Sequence, residues 1–226
     1  MKFLALTLSL LTPSSIVEYQ PGVRPIVSAR VVHWPFASPT FAAVHISGPI
    51  NEETAGAFEK ELNEVLATGQ PLIPIIITSF GGSIYSMQRM VGAINRAKAR
   101  AKIATICHGQ CMSAGAMLLM YGTEGLRFAD AGSTILLHDI SSSTEGKIPD
   151  MREDVTQLEA LTERLFAVAA RQTGHKPDYF LEMLERANHK DIYLTPQQAK
   201  AHNIVNHVGW PDFRVQVDVL YDIAYE

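Results

Sequence analysis

The chain has 226 residues, of which 47% are hydrophobic and 19% charged, so its charged fraction lies below the ~25% typical of soluble domains. This composition supplies enough apolar material for one sizeable core and excludes a disordered or fibrous protein. The net charge is −4 and no dense basic run occurs, which argues against nucleic acid as a partner. Two cysteines, Cys107 and Cys111, are too few to staple a fold of this size and indicate a reducing compartment, the cytoplasm.

The N-terminal residues carry an ambiguous targeting signal. Lys2 precedes the apolar run 3–11, as in a secretory signal, but no small-x-small cleavage site clearly follows. The run also alternates Leu with Thr or Ser, as a half-buried strand does, and it is too short to span a bilayer. We therefore divide the chain into an N-terminal extension over 1–40, as a propeptide, signal-like or structured segment, and one domain over 41–226.

From residue 41 onward, strand-like apolar runs alternate with amphipathic helical stretches, which predicts repeated β-α units and a largely parallel sheet covered by helices. In chain order we predict strands over 41–46, 72–78, 103–107, 133–138 and 204–208, and helices over 53–66, 84–97, 113–121, 151–168 and from 195 to about 203. The helix over 151–168 has apolar residues three and four positions apart for about five turns. Thr195-Pro196-Gln197-Gln198 is typical of a helix start.

Amide hydrolysis needs a nucleophile, a base, a group that orients the base, and donors for the oxyanion. Ser113 stands where a strand gives way to a helix among small residues, which favours an exposed hydroxyl; the alternative is an ordinary N-cap. Gly81 and Gly82 follow a strand and can bring bare backbone to a substrate, or can form a plain turn. His138 ends a strand, where parallel sheets place their sites, or is a structural histidine.

Three segments, 79–83, 109–116 and 136–138, resemble the ClpP family of caseinolytic serine peptidases. The resemblance extends from about Ile46 to Gly209 in the same order and spacing. It implies an α/β fold of the ClpP/crotonase type, with repeated β-α units and a protruding handle helix. It also implies a serine endopeptidase that needs no metal or organic cofactor.

The same resemblance assigns the site residues. Ser113 matches the nucleophile, His138 the base, and Asp191, just before Ile192-Tyr193-Leu194-Thr195, the acid. The amides of Gly82 and Ala114 match the oxyanion hole.

A competing acid, Asp139, directly follows His138. Because adjacent residues on a strand point to opposite faces, we expect Asp139 not to orient His138. Three positions depart from the family pattern: Phe80 replaces the usual proline, Ala114 the usual methionine, and Lys190 stands where arginine is frequent. The loss of the proline removes a fixed backbone angle before the two glycines, and lysine cannot form the bidentate pairs of arginine.

The resemblance further implies an assembly. The helix over 151–168 matches the handle by which ClpP subunits interlock into two stacked rings, heptameric by resemblance, that enclose the active sites. An AAA+ unfoldase would then feed unfolded protein to the chamber, while short peptides diffuse in, and no membrane is involved. Leu158 and Leu165 are the apolar residues that we expect at the ring interface. The alternative is a core helix packed within one subunit.

Several other interpretations use the same residues. An α/β-hydrolase would take Ser113, Asp191 and a late histidine, His202 or His207, but Cys111 breaks its Gly-x-Ser-x-Gly elbow. The Cys107-His108-x-x-Cys111 cluster lacks a second ligand pair for a metal, so we expect both thiols to pack as small apolar groups. A crotonase-like enzyme, an inactive ring subunit and a viral capsid-maturation peptidase of the same superfamily share the expected fold.

Overall fold

The computed structural model of the protein describes residues 25–29, 42–141, 147–213 and 221–225. The apolar run 3–11 and most of the segment 141–146 lie outside the described residues. The elements in chain order are β1 (Pro25–Ala29), β2 (Val44–Ile50), α1 (Glu52–Ala67), β3 (Leu72–Gly82), α2 (Ile84–Ala97), β4 (Lys102–Met112), α3 (Ala114–Met120), β5 (Arg127–Ala129), β6 (Thr134–Leu137), α4 (Ile148–Gln172), α5 (Tyr179–Arg186), β7 (Ile192–Leu194), α6 (Pro196–Ala201), β8 (His207–Val208) and β9 (Tyr221–Tyr225).

The chain forms two compact units. One comprises Met1–Trp34 and Gln216–Glu226, and within it β1 and β9 form a two-stranded antiparallel sheet. The other comprises Pro35–Val215 and holds the remaining elements. The division at residue 40 that the sequence suggests stays a prediction.

The larger unit is built on a seven-stranded sheet. Strands β2, β3, β4, β5 and β8 are paired in that order and are parallel, while β6 pairs with β4 and, antiparallel, with β7. Strand β4 changes partner along its length: residues 105–107 pair with β5 and residues 110–112 with β6. The carboxyl ends of β3, β4 and β6 therefore meet at one edge, which is where parallel sheets place their sites. This mixed α/β architecture confirms the predicted fold class.

The helices nearest this edge start where their sequences predict. Helix α1 opens with a capping box between Asn51 and Thr54, and α2 begins after Ser83, whose side chain accepts from the Ser86 N–H. All seven residues of α3 are buried, as its uniformly apolar sequence predicts. Helix α6 has the predicted capping box between Thr195 and Gln198.

Some predicted bounds are wrong. The strand predicted over 41–46 is β2, which runs from Val44 to Ile50. Strands β3 and β4 each have eleven residues and extend past the predicted 72–78 and 103–107. The strand predicted over 204–208 is reduced to β8. The short elements β5 and α5 were not predicted.

Helix α4 is longer than predicted and has two unlike halves. It spans 25 residues, and its second half buries Leu161, Leu165 and Phe166 in the core. From Ile148 to Ala160 every residue is exposed or half-buried. Leu165 is therefore a core residue, and the expectation that it lies at a ring interface is wrong. Among the described residues, no helix is long and apolar enough to cross a membrane.

Candidate active site

Ser113 lies at the junction between β4 and α3, with φ 54° and ψ −123°. A non-glycine residue rarely adopts a positive φ, so the surrounding structure must hold it there. Its N–H donates to the Leu136 carbonyl (2.9 Å), and its carbonyl accepts from the Met117 N–H (3.1 Å). The side chain makes no cap hydrogen bond to a described residue. The hydroxyl is thus presented on a sharp strand-to-helix turn without the capping bond of an ordinary N-cap serine.

Two glycines complete the turn beside this serine. Gly81 has φ +99° and Gly82 has φ +145°, conformations that side chains disfavour. A Cβ at Gly81 would lie 2.7 Å from the Cβ of Ser113, and a Cβ at Gly82 would collide with the Ile50 carbonyl oxygen. The backbone of β3 therefore approaches its neighbours this closely only because both positions lack a side chain.

Ser79 supports the glycine turn from inside the core. It is fully buried; its hydroxyl donates to the Gly48 carbonyl (2.6 Å) and accepts from the Gly81 N–H (3.0 Å). No role for Ser79 is predicted from the sequence. The available signal was a small polar residue at the end of an apolar strand, just before two glycines, where turn amides need an acceptor.

A cavity of about 70 Å³ opens at this edge of the sheet, and Gly82, Ser113, Ala114 and His138 all line it. Most of the other lining residues are apolar; the set is Ile84, Met87, Met117, Leu137, Asp139, Ile140, Ser141, Leu165 and Phe166. The structure thus gathers four of the five predicted site residues around one cavity. The fifth, Asp191, is not among the lining residues.

His138 follows the last residue of β6 and is half-buried. In the part of the chain that the structure describes, no hydrogen bond joins its ring to Ser113 or Asp191. The candidate base and nucleophile therefore line the same cavity without contact through a hydrogen bond.

Asp191 immediately precedes β7, and its side chain is exposed. The antiparallel register of β6 and β7 pairs Leu136 with Tyr193 and Leu137 with Ile192. Continued by one residue, that register puts Asp191 opposite His138. Residues directly opposite in an antiparallel pair share a face, so this register would put the two side chains on the same side if it extended past the last pair, Leu137 and Ile192.

Asp139 has a different partner. Its Oδ2 lies 3.0 Å from Nδ1 of His189, the third residue after α5. Asp139 thus pairs with His189 rather than with the neighbouring His138.

The late histidines lie elsewhere. Nδ1 of His202 is 2.7 Å from the Tyr179 hydroxyl, and Nε2 of His207 is 3.1 Å from the Gly125 carbonyl oxygen. Neither lines the cavity at Ser113. The α/β-hydrolase interpretation needs His202 or His207 beside Ser113, and neither histidine lies there.

The two cysteines are free and fully buried, as predicted for small apolar groups. Burial raises the pKa of the Cys111 thiol well above its usual value, and the neighbouring Cys107 adds to the shift. The shift disfavours the thiolate, which is the form that binds a metal ion. Among the described residues, no three His, Cys, Asp or Glu side chains are grouped to hold a metal ion.

A mostly parallel α/β sheet has a strained serine, Gly82 and a histidine around one cavity at its carboxyl edge, an arrangement that is typical of serine hydrolases. The family model for Clp protease matches residues 40–211. The chain belongs to the Clp protease family and is a ClpP-like peptidase. The match covers β2 to β8 and so includes all five predicted site residues.

Proposed function

We propose that this protein is a serine endopeptidase with Ser113 as nucleophile, His138 as general base and Asp191 as the acid that orients it. The observation that carries the proposal is that Ser113, on a strained turn and without a cap bond, lines one cavity with His138 and with the backbone of Gly82 and Ala114.

The chemistry follows from these positions. His138 takes the Ser113 proton as Oγ attacks the scissile carbonyl, and the amides of Gly82 and Ala114 donate to the resulting oxyanion. His138 then gives the proton to the leaving amine as the C–N bond breaks. Water, deprotonated by the same imidazole, attacks the acyl-enzyme and releases the acid product and the Ser113 hydroxyl.

The cavity favours an apolar substrate side chain. Met87, Met117, Leu137 and Phe166 form much of its wall, and two methionines adapt readily to different apolar shapes. An uncharged side chain next to the scissile bond enters this space without an unpaired charge being buried. We propose apolar residues at that position of the substrate.

The exposed half of α4 supports an assembly. Ile148 is 67% and Val155 48% exposed, on a helix whose second half is in the core. Members of the family generally form rings and work with ATPases. We propose that this half-helix packs against other subunits in two stacked rings and that an AAA+ unfoldase supplies unfolded protein. The free, buried thiols fit a reducing compartment, the cytoplasm.

The test is hydrolysis of a short fluorogenic peptide by Ser113→Ala, with Ser83→Ala as the matched control. Ser113→Ala should lower kcat by roughly 10⁴-fold or more. Ser83→Ala removes only the cap of α2, at a cost of about 1 kcal/mol, and should leave hydrolysis unchanged. Activity retained in Ser113→Ala would overturn the proposal.

A further inference from the structure

A side-chain pair stands directly beyond the candidate base and acid. The pairing of β6 with β7 ends at Leu137 and Ile192, so His138 and Asp191 are the first residues outside it. Further out, Asp139, one residue after His138, and His189, two residues before Asp191, are joined by the 3.0 Å contact between Oδ2 and Nδ1. The candidate base and acid therefore lie between the end of a backbone ladder and a side-chain bridge.

The turn that contains His189 has an unusual backbone conformation. Asn188 and His189 both have positive φ, 53° and 56°, and neither is glycine. The His189 N–H donates to the Leu184 carbonyl (2.9 Å), which fixes this turn to the end of α5. A positive φ at two consecutive non-glycine residues raises the free energy of the backbone, so this conformation persists only where neighbouring contacts maintain it.

The pair also lies at the boundary of the active-site cavity. Asp139 lines the cavity at Ser113 and, with His189, a neighbouring groove of about 450 Å³. The groove is bounded on its other side by α4, through Leu158 and Glu159 among others. The bridge thus joins the segment after His138 to the turn before Asp191 at the wall between the two spaces.

We infer that Asp139 and His189 form a positioning pair, which holds the segments of His138 and Asp191 in register so that the acid can orient the base. This inference rests on the proposed function. The pair acts on catalysis by restricting the backbone that carries the base and the acid. Small errors of position at such groups reduce the rate steeply, so a weak, exposed pair suffices to affect catalysis.

The experiment measures kcat, KM and the rate of Ser113 labelling by a serine-directed phosphonate. His189→Ala should lower kcat and the labelling rate by about tenfold each, with KM and the sedimentation of the assembled protein unchanged. His189→Asn should restore most of the loss, because the Asn amide nitrogen takes a place close to Nδ1 of the imidazole. The double variant Asp139→Ala/His189→Ala should be no slower than the slower single variant, as for two residues that act together.

His45→Ala is the matched control. His45 pairs with Glu61 at 3.4 Å, and the two side chains are 55% and 38% exposed, against 64% and 39% for His189 and Asp139. This second pair joins β2 to α1 and does not line the Ser113 cavity, so kcat should not change.

The inference is overturned if His189→Ala leaves kcat unchanged, if His189→Asn fails to restore it, or if activity falls only together with assembly. A failure of the proposed function would give a different experimental result. In that case the wild type lacks a Ser113 adduct, or Ser113→Ala retains hydrolysis, whatever happens at His189.

Discussion

The two sides of the candidate active site are held very differently. On one side, Ser113 is fixed by backbone hydrogen bonds at both its N–H and its carbonyl, and the Gly81 turn rests on the buried Ser79 hydroxyl. On the other side, His138 and Asp191 lie just past a ladder of three residue pairs.

In our proposal, this difference separates a part of the site that one subunit completes from a part that depends on assembly. The candidate nucleophile and oxyanion donors are placed by the sheet and by glycine positions that tolerate no side chain. The candidate base and acid follow and precede short strands and, in our proposal, depend on the Asp139–His189 bridge and on neighbouring subunits.

A loss close to that of Ser113→Ala is expected on the loosely held side. Asp191→Asn removes the charge that stabilises the protonated imidazole and should lower kcat by up to ~10⁴-fold. Asp139→Asn keeps an oxygen acceptor for His189 and should have a far smaller effect. Steady-state hydrolysis of a short peptide by both variants checks this. If Asp139→Asn is the more damaging change, the acid is misassigned.

On the firmly held side, Gly82→Ala should lower kcat by about 10²- to 10³-fold, the usual effect of losing one oxyanion donor. The new Cβ would collide with the Ile50 carbonyl oxygen and displace the turn. Gly69→Ala is the control, since Gly69 also has a positive φ (+77°) but has open space around it. Equal losses of kcat in the two variants would mean that Gly82 has no special part in catalysis.

The contribution of assembly is tested on the exposed half of α4. Val155→Glu/Leu158→Glu should shift sedimentation to smaller species and reduce hydrolysis with it, because charges replace apolar groups that association would bury. Gln157→Glu, at an exposed position on the same half-helix, should leave both unchanged. A fully active monomer at micromolar concentration would contradict the chambered-peptidase proposal while leaving the Ser113 chemistry open to its own test.

The smallest effect concerns stability away from the site. Burial lowers the pKa of His202, and electrostatic interactions with His175 and Arg186 add to the shift. In the unfolded chain, His202 binds a proton at about pH 6.5, whereas in the folded chain it does so only at lower pH. Stability should therefore fall as the pH drops below about 6.5 and should level off below the folded pKa.

Urea unfolding at pH 7.5 and 5.5 measures this difference. His202→Asn keeps an acceptor for the Tyr179 hydroxyl but does not titrate, so it should show a smaller pH effect. An unchanged effect in this variant would assign the acid sensitivity to other groups.

The fold was predictable where the sequence is locally consistent. Helix α2 has the predicted bounds, 84–97, because Ser83 caps it and its apolar residues recur at helical spacing. Strand β5 escaped prediction because it has only three residues and begins with Arg127. The buried guanidinium donates to the Asn203 and Ile204 carbonyls, so a charged residue occupies a core position through tertiary contacts that the sequence does not display.

The residues of the candidate site could be proposed from the sequence, but the contacts that hold them could not. Ser113, Gly82 and His138 stand in motifs with local signatures, and they line one cavity. Asp191 is assigned by the family resemblance alone, and how near it comes to His138 depends on the pairing of β6 with β7, which ends one residue short of both. The contact of Asp139 with His189 joins residues fifty positions apart through a turn with two positive φ values, which no short motif signals.

The most direct test of the central claim is to locate the adduct of a serine-directed phosphonate on the assembled wild-type protein by peptide mapping. The account predicts one adduct, on Ser113, which is lost in Ser113→Ala and strongly slowed in His138→Asn. An adduct on Ser83 or another serine, or labelling of Ser113 at the same rate without His138, would contradict it.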